Sequence, residues 1–314
     1  MIAVPLVHIG YHKTSTTWLQ KHLFVREDMG FAYPFPNRAE LTRHLVVVDD
    51  FSFDPEEIYE KIFRVRLQEL MERHTQIPVI SNERFSGFPM SGGHDSKIIA
   101  DRLKATFGDA RVLVVIRAQD TMILSNYLQY VRDGGPCNLR QFLMPPRDLS
   151  TRIPTFSLNF FCYHKLVLYY LRIFGHENVR VLVYEEFVRR PRDFVARILA
   201  HCELECDLES LAGLPYGVNE NRSDNWAFLK WKRQANKLFG ARLNPAPMIQ
   251  SEVLDRRFLS VGRLMSSVER ALGLDRRELL QDVRELIGDF YAESNVRTSD
   301  LIGEDLSSWG YVTR

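Results

Sequence analysis

Cysteine is scarce in this chain. Its 314 residues hold four, Cys137, Cys162, Cys202 and Cys206, too few and too irregularly spaced for a disulfide-held secreted scaffold. Net charge is nearly absent too, because 41 basic residues face 40 acidic ones to leave +1. A broad nucleic-acid-binding face needs excess positive charge, so none is expected, whereas a local basic pocket for a small polyanion stays open. Long apolar runs are missing: the longest, Phe156 to Phe174, is interrupted by Asn159, His164, Lys165 and Arg172. A membrane span takes about 20 mostly apolar residues, so none is expected. The N-terminus shows no basic region leading into an apolar stretch, so it does not read as a signal peptide and a cytoplasmic enzyme is the simplest expectation. No repeats or low-complexity segments occur. His201, Cys202 and Cys206 suggest a metal at first sight, but no second ligand pair is spaced to complete a site, so the thiols are read as ordinary and no metal is expected.

What the chain does have is ordinary globular composition, 45% hydrophobic and 26% charged. Val4–Ile9 is a short β-rich run ending at Gly10, and a helical pattern follows from about Thr16. Phe31–Tyr33 reads as a second strand closed by Pro34 and Pro36. Asp54-Pro55-Glu56-Glu57 is a helix start with Asp as N-cap and Pro in the first turn, running to about His74. Pro78–Ser81 is a buried strand, Ser96–Phe107 a helix, and Arg111–Ile116 the clearest strand of all, a continuous apolar run of the kind found in parallel sheets covered on both faces. Helices are expected at Gln119–Val131 and Phe156–Phe174, a strand at Val179–Tyr184, and a helix opening at Pro191. Beyond Pro215 come helices at Asn225–Phe239 and Asp275–Glu293, separated by a break at Asn244-Pro245-Ala246-Pro247. Strands alternating with helices predict an α/β fold, a three-layer αβα arrangement around a mainly parallel sheet. The expectation is a single domain over 1–314, with an α/β core in 1–215 and a mostly helical part in 216–314.

The segment between the first strand and its helix, Gly10-Tyr11-His12-Lys13-Thr14-Ser15-Thr16-Thr17, has the makings of a phosphate cradle. A helix N-terminus offers unpaired N–H groups and positive dipole. Lys13 adds a cation, and four hydroxyls add donors. It is shorter than a Walker A loop, with Gly10 only three positions before Lys13 and His12 in place of the second glycine.

Tyr11-His12-Lys13-Thr14-Ser15-Thr16-Thr17-Trp18-Leu19-Gln20 resembles the 5′-phosphosulfate-binding loop of the sulfotransferases that use 3′-phosphoadenosine-5′-phosphosulfate (PAPS). Most members have glycine where Ser15 stands. The resemblance recurs at Arg117, which follows the strand Val112–Ile116, with Ser125 eight positions on and Tyr127 close behind. That spacing is similar to the family's 3′-phosphate segment, although Ala118-Gln119 replaces the usual Asn-Pro. Arg117 emerges at the carboxyl edge of the sheet, where α/β proteins bind ligands, and its fork suits a phosphate. The strand ending in Tyr184-Glu185 resembles a later family segment whose Tyr lies near the nucleotide, and Trp18 matches an aromatic that packs on adenine. Both residues also read as plain core aromatics. Ser294-Asn295-Val296-Arg297 and Ser308-Trp309-Gly310-Tyr311 look similar to the tails of bacterial members, with no role assigned.

The resemblance implies a P-loop-like sulfotransferase fold, with the helical part shaping the acceptor site. It implies donor binding by His12, Lys13, Thr14, Ser15, Thr16, Thr17, Trp18, Arg117, Ser125 and Tyr184, PAPS as co-substrate, adenosine-3′,5′-bisphosphate (PAP) as product, and no metal. Lys13 would offset charge on the leaving phosphate. Glu83, in Ser81-Asn82-Glu83-Arg84-Phe85, resembles the base of the glycan-acting members; His94 is the alternative. The expected partner is an acceptor, a carbohydrate, small alcohol or lipid, and a homodimer stays open. A P-loop kinase or NTPase, which would call for Mg²⁺ and a strand-end acid, and a non-catalytic nucleotide-binding protein are the rival readings.

Overall fold

The computed structural model describes residues 4–73, 77–146, 154–205, 207–218, 226–239, 243 and 276–314. Cys206, the break at Asn244–Pro247, and the helix limits expected at His74, Asn225 and Asp275 lie outside them. Five strands, β1 (Leu6–His8), β2 (Phe31–Ala32), β3 (Ile77–Ser81), β4 (Arg111–Ile116) and β5 (Val179–Val183), form one sheet in the order β2-β3-β1-β4-β5. Every pairing is parallel, as the apolar β4 run predicts. On one face Leu6, Val79, Leu113, Val115 and Leu182 pack against Trp18, Leu19 and Leu23 and against the helix Pro191–His201 through Phe194, Val195, Ile198 and Leu199. The alternate residues Val7, Ile80, Val112 and Val114 are equally buried, so helices cover the opposite face as well. There Tyr163–Phe174 packs on β4, β5 and the helix Ser96–Phe107. The architecture is three-layer αβα.

The chain divides into two compact units, Met1–Ala118 with Asn159–Glu220 and Tyr291–Arg314, and Gln119–Leu158 with Asn221–Phe290. The first holds the sheet. The described part of the second consists mainly of helices, Gln119–Arg132, Leu139–Leu143, Trp226–Leu238 and Arg276–Ile287. In it, Asn236 Nδ2 donates to the carbonyls of Val131 (2.7 Å) and Gly135 (3.0 Å) and fastens one helix to the end of another. Among the described residues no helix is long and apolar enough to cross a membrane.

Several elements follow local chemistry closely. Asp54 caps its helix by accepting from the Glu57 amide at 3.0 Å, with Pro55 in the first turn. Three expectations need correction. Phe156–Phe174 is not one helix: a 3₁₀ turn spans Leu158–Phe161 and the α-helix starts at Tyr163. The apolar first half of that run serves aromatic packing, since Phe160 and Phe161 lie 5.1 and 6.4 Å from the Tyr11 ring. The last helical stretch is likewise two helices, Arg276–Ile287 and Ala292–Ile302, parted at Gly288 with φ 49°. Strand β5 also stops one residue early, and Tyr184 opens the short helix Tyr184–Arg189.

Candidate active site

Sheet order determines which loops meet. The chain leaves β1 for one side of the sheet and returns on the other at β4, so the carboxyl ends of β1 and β4 flank a switch point, where open α/β sheets bind ligands. The loop after β1 carries Lys13 and the loop after β4 carries Arg117. They touch: Arg117 Nη1 donates to the Lys13 carbonyl at 3.0 Å.

The β1 loop is tightly wound. Lys13 (φ 69°) and Ser15 (φ 64°) both take left-handed backbone, and Ser15 leads into Thr16–Trp18, which continues as a π-helical turn Leu19–Leu23. The glycine-to-serine departure therefore falls at a conformation glycine adopts more easily, and Ser15 keeps that conformation despite its Cβ. Gly10 is needed for a different reason, close approach: a Cβ there would lie 2.8 Å from Thr16 Oγ1 and 2.9 Å from His8 Nε2. The buried Thr14 hydroxyl donates to the Tyr11 carbonyl and so holds the loop shape. Thr16 Oγ1, His12 Nε2 and His8 Nε2 are buried and have no hydrogen-bond partner among the described residues. Native interiors rarely leave such groups unmatched, and three of them gather around this loop. Thr17 is half-buried beside them.

Burial presses the two imidazoles toward neutrality. His8, whose Nδ1 bonds Ser81 Oγ at 2.7 Å, is pushed down to about 3 by burial, against an upward pull from Glu83. His12 falls to about 4, again chiefly by burial, with Glu83 raising it and Arg84 and Lys13 lowering it. Both are neutral at physiological pH.

Glu83 opens a 3₁₀ turn after β3, and Asn82 caps that turn by accepting from the Arg84 amide at 2.9 Å. Both Glu83 oxygens accept from Arg38 Nη1, at 2.8 and 3.0 Å. Burial pushes the carboxyl up, but Arg38, the turn's own amide and His12 outweigh it and hold Glu83 below the usual carboxylate range. Glu83 and His12 thus share one neighbourhood with the loop. His94 is exposed and lines a cavity of about 350 Å³ with the loop's Tyr11 and with Lys97, Phe160, Lys165 and Tyr169, whose described lining includes neither Glu83 nor Lys13.

On the β4 side, the Arg117 guanidinium lies 4.6 Å from the centre of the Tyr184 ring, a cation–π contact. Tyr163 Oη donates to the Arg117 carbonyl at 2.6 Å. Trp18 is a core residue here, 3% exposed, stacked on Tyr216 at 5.6 Å, with Nε1 donating to the Pro215 carbonyl at 3.1 Å. Ser125 is half-buried on Gln119–Arg132, in the second unit. Among the described residues no cluster of three or more His, Cys, Asp or Glu side chains is placed to hold a metal.

A sulfotransferase from Alicyclobacillus acidocaldarius superposes over 98% of this chain and 99% of its own, at TM-score 0.53 and 19% identity. The chain has the sulfotransferase fold. Two further solved structures, the sulfotransferase domain from the curacin biosynthetic pathway and mouse sulfotransferase SULT7A1 complexed with PAP, align more loosely. Their TM-scores are both 0.38, with 12% and 11% identity, over 67% and 91% of this chain and 77% and 88% of theirs. No protein-family model and no curated protein matches the sequence.

On this sulfotransferase fold, four residues join the site that sequence reading passed over. His8 carried a usable signal, a histidine inside an apolar strand two residues before Gly10. Arg38 carried none, since 45 positions separate it from Glu83. Glu185 and Tyr311, described below, are 126 positions apart.

Proposed function

We propose that this chain is a cytoplasmic PAPS-dependent sulfotransferase that moves a sulfuryl group to a hydroxyl or amine of an acceptor, a carbohydrate or small metabolite, by in-line displacement. The observation carrying the reading is the bond from Arg117 Nη1 to the Lys13 carbonyl, because it unites the two loops whose motifs imply a 5′-phosphosulfate and a 3′-phosphate. The unpartnered Thr16 Oγ1 and His12 Nε2 fit a group rich in acceptor oxygens.

The roles follow from position and charge. Lys13 and the loop amides bind the 5′ end, where Lys13 offsets the negative charge that grows on the leaving phosphate oxygen as its bond to sulfur breaks. Neutral His12 offers an N–H to a sulfuryl oxygen without repelling Lys13. Glu83 accepts the proton of the acceptor hydroxyl as the new bond to sulfur forms. Arg38 Nη1 takes one lone pair on each Glu83 oxygen and holds the carboxylate in place. Arg117, with Tyr184 under its guanidinium, binds the 3′-phosphate and nucleotide.

Calorimetric titration with PAP and with ATP, each with and without Mg²⁺, tests this. Tight, Mg²⁺-independent binding of PAP is expected. Preference for ATP with Mg²⁺, with indifference to the 3′-phosphate, would instead mark a P-loop kinase or NTPase.

A further inference from the structure

Tyr311, in the second of the two C-terminal segments left without a role in the sequence, reaches the backbone behind Arg117 through Glu185. Ala118, the residue after it, donates its amide to Glu185 Oε1 at 3.0 Å. The other oxygen of the same carboxylate, Oε2, accepts from Tyr311 Oη at 3.1 Å. Tyr311 is buried and is itself held fast. Gly310, at φ 90°, turns the chain into it. Trp309 just before lies under two guanidinium groups, Arg190 at 5.0 Å and Arg189 at 5.4 Å, and Arg189 Nη1 also donates to the Ser308 carbonyl at 3.3 Å. On the far side the buried Asn295 donates to the Val312 carbonyl at 2.8 Å. The tail is therefore pinned before and after Tyr311.

This arrangement leaves Arg117 and Ala118 little freedom. The carbonyl of Arg117 is taken by Tyr163, the following amide by Glu185, and the guanidinium lies on the ring of Tyr184, the neighbour of Glu185. Tyr184 and Glu185 open one short helix, so one element supplies both the surface under the guanidinium and the anchor for the backbone. A carboxylate that accepts two directional bonds from opposite sides cannot shift without losing one of them.

We propose that Glu185 and Tyr311 are positioning residues for recognition of the nucleotide's 3′-phosphate: the tail fixes Glu185, Glu185 fixes the Ala118 amide, and Arg117 is thereby aimed before any ligand arrives. This rests on the sulfotransferase reading, which assigns the 3′-phosphate to Arg117. Preorganisation of this kind acts on the interaction with one group of the ligand, and so differs from general support of the fold.

The test measures affinity for PAP and for adenosine 5′-monophosphate, which lacks the 3′-phosphate, in wild type, Tyr311→Phe, Glu185→Gln, Arg117→Ala and the double variant Tyr311→Phe/Arg117→Ala. Loss of one buried hydrogen bond is expected to cut the PAP-to-monophosphate preference about three- to tenfold in Tyr311→Phe, and at least as much in Glu185→Gln. Monophosphate affinity should stay within about twofold of wild type. On the Arg117→Ala background, Tyr311→Phe should cost nothing further, since the group it aims is gone. A wild type that prefers PAP, with variants that keep that preference or lose both ligands equally, overturns the brace and leaves the functional reading standing. A wild type that binds the two nucleotides alike overturns the reading of Arg117, and the brace with it.

Discussion

The two halves of the candidate nucleotide site are built on opposite principles. Around the β1 loop, buried polar atoms lack partners among the described residues: Thr16 Oγ1, His12 Nε2 and His8 Nε2 sit beside two non-glycine residues with left-handed backbone. Behind the β4 loop, the groups that hold Arg117 in place are matched, from Tyr163 through Glu185 to Tyr311. Leaving buried polar groups unbonded costs about 1–3 kcal/mol each, so the first half is costly until something bonds to it. The second has its bonds already and loses little freedom on binding. This division suits the proposed reaction. Charge is created at the sulfuryl end, where donors should be aimed at a transition state, whereas the 3′-phosphate is a handle whose charge does not change.

The largest effect that would sharpen the contrast is expected at Lys13. Lys13→Ala should lower release of PAP from PAPS, measured with a panel of sugar acceptors, by about 100- to 1000-fold, while the preference for PAP over the monophosphate survives. Equal loss of turnover and of that preference would erase the difference between the halves. Next comes Glu83→Gln, which keeps the shape and removes the base. Turnover should fall about 100-fold with PAP affinity unchanged in calorimetry. If His94→Ala produced that pattern instead, the base would belong to the cavity beside Lys97.

Acid sensitivity separates the halves in another way. His8 and His12 have folded-state values near 3 and 4, below the ordinary 6.5. Between about pH 6.5 and 4 the unfolded chain binds more protons than the folded one, so stability is full above that window and falls as pH falls through it. Each such group adds a slope of about 1.4 kcal/mol per pH unit. Thermal melts from pH 7 to 4 should show this decline, and His8→Gln should flatten it; an unchanged slope would show that His8 does not titrate in that range. The smallest effect belongs to Ser15. Ser15→Gly removes the Cβ from a left-handed position and should raise the melting temperature by about 2–4 °C, from about 1 kcal/mol of relieved strain. A lowered melting temperature would mean that the serine side chain is needed where it stands.

What could be read from the sequence was local. Strand β4, the helix Ser96–Phe107 and the Asp54 cap are written in consecutive residues and are found where the pattern put them. The Lys13 loop was legible for the same reason, since its chemistry and spacing are contiguous. Phe156–Phe161 misled because apolar aromatics suit a helix face and an aromatic cluster equally, and only Tyr11, 149 positions from Phe160, decides between them. The paired last helices misled because a single glycine inside a helical pattern is tolerated as often as it terminates. Arg38 on Glu83 and Tyr311 on Glu185 had no local signature at all, because each pair is formed by tertiary packing alone.

The place of β1 at the middle of the sheet has a consequence for how the protein folds. Leu6 pairs with Val79 on one side and Arg111 on the other, so the strand that bears the Lys13 loop completes its bonding only after distant parts of the chain have arrived. Parallel pairings of such long sequence separation fold slowly, and the apolar central strand is the one left waiting. A nucleotide that binds only the finished sheet would draw the folding equilibrium toward it by mass action. Refolding yield should then rise with PAP concentration, which makes the nucleotide a practical aid in recovering this protein.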